Sequence, residues 1–182
     1  MTRFYLAYGS NLHPVRLNER VPSARLIGTT RLDRHRVAFI KRSHDGSSKC
    51  SLVFTDEADH AAYAAVYEMA VKEKPVLDAI EGLGAGYEER GLRVSVNRER
   101  LAVFTYVAAA THTEPDLAPY DWYHTLVTAG ADHHGFPAEY VEALTAVPTQ
   151  SDRDLERRAR NEYLLAKVRD FADKKNQAPS GA

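Results

Sequence analysis

Phe4-Tyr5-Leu6-Ala7-Tyr8-Gly9-Ser10-Asn11-Leu12 decides how the rest of the chain is read, because a short apolar strand runs out at Tyr8 into a glycine-containing turn. The next segment, His13-Pro14-Val15-Arg16-Leu17-Asn18-Glu19-Arg20, has the pattern of a short helix with Pro14 in its first turn. Tyr8 to Leu12 therefore sits at a strand-to-helix junction and reads as a binding loop. Gly9 permits positive φ and close approach of a ligand to the backbone, while Ser10 and Asn11 carry hydroxyl and amide groups suited to turns and caps. Backbone N–H groups in such a turn form a concavity that suits an anion, for example a carboxylate. Taken alone, the same residues also describe a plain strand-ending turn with an Asn or Ser cap.

Outward from the loop, strand patterns are expected at Arg25 to Leu32, Arg36 to Lys41 and Ser51 to Phe54. Ala62 to Met69 is alanine-rich but lies among strands and is read as one, with tertiary context overriding helix propensity. Lys74 to Glu81 reads as a short helix stopped by the Gly82-Leu83-Gly84-Ala85-Gly86 stretch, which puts Glu81 at its C-terminal end. Glu89 to Val96 and Leu101 to Ala108 form a hairpin pattern around Asn97 to Arg100. Helices follow at Asp121 to Ala131 and Pro137 to Val147, and a long one is expected over 152–172 with Ser151 as its cap. A polar, flexible tail is expected at 173–182. Six or seven strands interrupted by single helices, with helices gathered at the end, indicate an α+β fold in one domain, 1–172.

Composition narrows the function. At 182 residues with 44% apolar side chains the chain can build one proper core. Twenty-four basic and twenty-five acidic residues give a net charge of -1, which points away from nucleic acid and toward a small neutral or zwitterionic ligand. Cys50 is the only cysteine, so an internal disulfide framework and a cysteine-based zinc site are excluded and a reducing cytoplasm is the expected compartment. No signal-like segment and no apolar run of spanning length are present, so no membrane partner is expected.

Several chemistries fall away on their motifs. His133-His134 are adjacent and point in different directions, and no His-Glu-x-x-His pattern occurs, so no metal is expected. Ser10 lacks the flanking glycines of a nucleophile elbow, and Gly82, Gly84 and Gly86 follow a helix rather than open one, unlike phosphate loops. Glu81 remains. A carboxylate at a helix C-terminus faces the negative end of the peptide dipole, and an apolar setting of Ile80, Leu83 and Ala85 would further disfavour its charge, which suits a proton shuttle. The same residue also fits a solvated glutamate closing a surface helix.

Tyr8-Gly9-Ser10-Asn11-Leu12, Leu77-Asp78-Ala79-Ile80-Glu81-Gly82 followed by Tyr87, and Gly130-Ala131 with Gly135-Phe136-Pro137-Ala138-Glu139-Tyr140 together resemble the γ-glutamylcyclotransferase family, from about Arg3 to about Asp152. The resemblance implies a mixed fold around a small β-barrel and conversion of a γ-glutamyl amine into 5-oxoproline with release of the amine, without a cofactor. It implies Glu81 as general acid/base, the Tyr8-to-Leu12 loop with His13 behind it as the cradle of the γ-glutamyl group, Tyr87 as a wall of the pocket, and Tyr123, or Tyr120 nearby, against the substrate. The loop reads Tyr-Gly-Ser-Asn rather than the Tyr-Gly-Ser-Leu of the glutathione-degrading branch, so glutathione is not the expected substrate. A related enzyme unmasking a specialised γ-glutamylated amine and a non-catalytic binding module of the same fold are the competing readings. The leaving amine falls to Leu83 to Gly86 and Thr111 to Pro119, which carry no cluster of like charge, so several amines are expected to be accepted. The glycine-rich Leu83 to Gly86 stretch and the long C-terminal helix depart from the family pattern and bear either on the pocket mouth or on an oligomer contact, such as that of a homodimer.

Overall fold

The computed structural model describes residues 1–177. Seven strands form: β1 (Thr2–Ala7), β2 (Arg25–Asp33), β3 (His35–Arg42), β4 (Ser48–Phe54), β5 (Ala61–Ala70), β6 (Tyr87–Val96) and β7 (Glu99–Ala108). Among the described residues five α-helices accompany them: α1 (Pro14–Arg20), α2 (Lys74–Glu81), α3 (Asp121–His133), α4 (Ala138–Thr145) and α5 (Leu155–Gln177). The α+β order expected from the sequence is what forms.

Five strands make one sheet in the order β2-β5-β1-β7-β6, in which β1 runs parallel to β7 and every other pair is antiparallel. The alanines of β5 stay extended because β1 and β2 pair with it on both sides, and Ala62, Ala64 and Ala65 are small enough for close packing over the strand. The sheet curls until its two edges meet at one end, where the Asn97 amide donates to the Ile27 carbonyl at 2.9 Å. The barrel expected over six or seven strands is therefore a half-barrel of five.

The other two strands, β3 and β4, pair only with each other. The reason lies at Arg34 and Asp56, both with φ of 59° and joined by an ion pair of 2.5 Å. Left-handed residues on both legs bend the long ribbon that starts as β2 and β5, so its outer half leaves the sheet. It is tied to the remainder by the Ala108 N–H donating to Ser51 Oγ at 3.0 Å and the Glu114 N–H donating to the Ile40 carbonyl at 2.7 Å.

A continuous apolar core joins the sheet to the helices and includes Leu164, Leu165 and Val168 of α5. That helix starts later and runs further than the 152–172 expected. Asp154, not Ser151, caps it by accepting from the Arg157 N–H at 2.9 Å, and the expected tail is helical to Gln177, its remainder lying outside the described residues. Asp152 anchors the turn before it. Its carboxylate accepts from the Trp122 indole N–H at 2.9 Å and pairs with Arg157 at 2.6 Å, and the guanidinium holds its pKa down at about 2.

A carboxyl held below its unfolded value contributes stability above about pH 4 that is lost as the pH falls toward 2, worth about 2 kcal/mol. Asp152→Asn should lower urea-unfolding stability at pH 7 by about that amount. The difference from the parent protein should shrink in melts taken at progressively lower pH.

Candidate active site

Sequence-predicted residues from four separate segments meet in one narrow chamber of ≈ 20 Å³, lined by Tyr8, Gly9, Ser10, Asn11, Cys50, Glu81, Tyr87 and Tyr123, with Tyr5 and Tyr106 below. It opens into an outer chamber of ≈ 110 Å³ that shares Ser10, Glu81, Tyr87 and Tyr123.

The loop follows β1 and closes on itself when the Leu12 N–H donates to the Gly9 carbonyl at 2.9 Å. That bond removes Leu12 from the candidate cradle and leaves the N–H groups of Gly9, Ser10 and Asn11. Leu12 is instead fully buried, and its carbonyl accepts from the Tyr67 hydroxyl at 2.6 Å and His134 Nε2 at 2.8 Å. His13 also faces away from the chamber. As the N-cap of α1 it accepts from the Val15 N–H through Nδ1, and its ring lies against His133 and Phe171. Gly9 is not at positive φ; a Cβ there would come within 3.2 Å of Cys50 Cβ and 3.5 Å of the Tyr123 hydroxyl, so its lack of a side chain keeps the chamber open.

Glu81 is the last residue of α2, which ends because Gly82 turns left-handed, with φ 71°, and donates to the Asp78 and Ala79 carbonyls. The buried Leu77 presses the helix onto the core. The surroundings of the carboxylate are polar, not apolar as expected, since Ile80 and Leu83 are exposed. Its Oε1 accepts from Asn11 Nδ2 at 2.9 Å and from Arg20 Nη1 at 2.9 Å, and the same guanidinium nitrogen donates to Asn11 Oδ1 at 2.9 Å. Asn11 and Arg20 thus fix the carboxylate's orientation while both contacts fall on one oxygen.

Two tyrosines hold the opposite wall by gripping the backbone of one residue on both sides. The Tyr87 hydroxyl donates to the Cys50 carbonyl at 2.6 Å, and the Tyr123 hydroxyl oxygen accepts from the Cys50 N–H at 3.0 Å. Tyr120 lies elsewhere, donating to the Asp45 carbonyl at 2.6 Å. Burial pushes the hydroxyls of Tyr8, Tyr87 and Tyr123 well above the ordinary tyrosine value and the Cys50 thiol up to about 12. At neutral pH none of them is an anion, so none serves as a base or thiolate nucleophile. Among the described residues Glu81 is the single carboxylate lining either chamber. As for metal, Glu57, Asp59 and His60 bring ligand atoms within 4.8 Å of one another on the β4–β5 loop, and none of them lines the chambers.

Sequence reasoning missed four cations of the outer chamber: Arg16, Arg20, Lys41 and Lys49. A signal existed for three. Arg16 and Arg20 stand four apart on the helix leaving the loop, hence on one face, and Lys41 falls two residues after the inward-facing Phe39 in β3.

A model of the AIG2-like family matches residues 61–144. γ-Glutamylcyclotransferase of Homo sapiens is 28% identical over 149 residues, covering 79% of this chain and 77% of its own, and that of Mus musculus is 28% identical over 155 residues, covering 80% and 79%. A solved γ-glutamyl cyclotransferase superposes with a TM-score of 0.73 at 23% identity, covering 86% of this chain and 96% of its own. The half-barrel is thus the fold of the γ-glutamylcyclotransferase-like proteins. In sequence the chain is similar to the AIG2-like family and to the γ-glutamylcyclotransferases.

Helix α3 approaches the loop at Gly130, where a Cβ would lie 2.4 Å from Leu12 Cβ and 3.0 Å from the His13 nitrogen. Gly130→Ala should therefore displace the loop and cost about 1–3 kcal/mol of stability, the usual scale of overpacking. Urea unfolding and the amide resonances of Gly9, Ser10 and Asn11 check it; unmoved resonances would show that α3 does not set the loop.

Proposed function

We propose that the protein is a γ-glutamylcyclotransferase, turning a γ-glutamyl amino acid or amine into 5-oxoproline and the free amine. The observation that carries the reading is the lone chamber carboxylate, Glu81, locked on one oxygen by Asn11 of the loop and by Arg20. Names of relatives at 28% identity support the same activity.

The substrate carries both reacting groups, so most of the acceleration comes from holding it bent, with the α-amine against the γ-carbonyl carbon. A narrow chamber walled by Tyr87 and Tyr123 suits that task. Glu81 takes a proton from the α-ammonium, the amine attacks the γ-carbonyl, and a tetrahedral oxyanion forms. Glu81 then gives that proton to the departing nitrogen as the carbon–nitrogen bond breaks, takes the second proton that the ring nitrogen sheds, and passes it to the released amine, which leaves as an ammonium, so the carboxylate ends as it began. Oε1 is occupied by its two donors, which makes Oε2 the oxygen for this traffic. The N–H groups of Gly9, Ser10 and Asn11 form the cradle, which stabilises an anionic oxygen of the bound γ-glutamyl group. The phenols, neutral and committed to Cys50, shape the wall without competing for the proton.

Glu81→Gln preserves the side chain's size and can still accept from Asn11 and Arg20. It should retain a cooperative thermal transition and lose at least about a hundredfold in turnover, the scale expected when a general acid/base is removed. The measurement is 5-oxoproline release from γ-glutamyl-alanine, and a near-parental rate would reject Glu81 as the base.

A further inference from the structure

Lys41 is 5% exposed and has no carboxylate within ion-pair distance among the described residues; its ammonium stands 4.9 Å from the Tyr87 ring. A buried lysine is rarely left without a counter-charge. Burial pushes its ammonium below the ordinary lysine value, against the opposing pull of Asp45 and Glu81. Arg16 is in a similar position: its Nε is buried with no hydrogen-bond partner, and burial together with the neighbouring Arg20 charge brings its pKa down to about 10. The other two cations of the outer chamber are answered, Arg20 by Glu81 at 2.9 Å and Lys49 by Asp45 at 2.7 Å. Two positive charges are thus left facing the same small space.

Their places in the fold assign them to opposite ends of a substrate. Arg16 belongs to the helix that leaves the Tyr8-to-Leu12 loop, on the glutamyl side. Lys41 stands where the segments expected to meet the leaving amine converge: it bridges to Thr113, and its Cε would be 2.9 Å from a Cβ placed on Gly86. A γ-glutamyl amino acid carries two carboxylates, one at each end, whereas a γ-glutamyl amine carries only the glutamyl one and would leave Lys41 buried and unanswered. We infer that Lys41 is a specificity-determining residue that binds a carboxylate on the departing amine, so that the protein selects γ-glutamyl amino acids over γ-glutamyl amines. The inference rests on the cyclotransferase reading and departs from the expectation of indifference to the amine, because the like-charge cluster comes from α1, β3 and β4 rather than from the two loops searched for it.

The test compares kcat/KM for γ-glutamyl-alanine with that for γ-glutamyl-propylamine, similar in size but lacking the second carboxylate. The parental ratio should be at least about tenfold in favour of the alanine compound, as a buried charge-assisted contact requires, and should fall at high salt. Lys41→Met should bring the ratio close to one, and Lys41→Arg should restore part of it. Turnover of both compounds at similar rates by the parent overturns the inference and leaves the cyclotransferase reading standing. Where neither compound is turned over, that reading fails, and the subsite is judged by calorimetric titration with glutarate, whose two carboxylates need no chemistry to bind. Binding at least about fivefold weaker in Lys41→Met supports the subsite, while equal binding, or none in either protein, overturns it. Circular dichroism melts confirm that each variant is folded before it is scored.

Discussion

Helix α3 packs so tightly on the turn after β1 that residue 130 has no room for a side chain, and the chamber depends on that fit. Leu12 fills the space this leaves and is anchored through its carbonyl by Tyr67 and His134. With Leu12 fixed inside, the turn that precedes it can only face outward, and Ser10 and Asn11 meet the chamber as a consequence. Asn11 in turn reaches the end of α2, whose last residue is Glu81. A steric allowance in one helix thus bears on where a carboxylate on another is held.

Much of this was legible in the sequence. The apolar run into Tyr-Gly-Ser-Asn-Leu, the proline near the start of α2 and the glycine after Glu81 are local signals, and local signals fix strand and helix ends. The β6–β7 hairpin was legible for the same reason, though its strands extend until Asn97 and Arg98, both at positive φ, make the turn. What local pattern could not supply was partnership. Alternation in β3 and β4 says that one face is buried but not that these strands leave the sheet, which depends on the left-handed residues Arg34 and Asp56 lying opposite one another. His13 was misplaced by the same limit: its role as a cap directs the ring toward His133 and Phe171, residues far along the chain.

The site also shows how a carboxylate is held with one oxygen left out of its supports. Arg20 and Asn11 bond to each other as well as to Glu81, so the three side chains form a closed triangle and the orientation of each is set by the other two. Such a triangle leaves few alternative rotamers, and it directs both donors to one oxygen.

The bent ribbon has a further consequence. It carries Lys41, Lys49 and Cys50 into the wall of the chambers, yet it shares no strand ladder with the sheet that bears the loop. On the proposed reading, bond-breaking and the choice of what departs are therefore assigned to separate lengths of chain. Drift along the ribbon could retune the clientele of the enzyme while the machinery that closes the ring is inherited untouched.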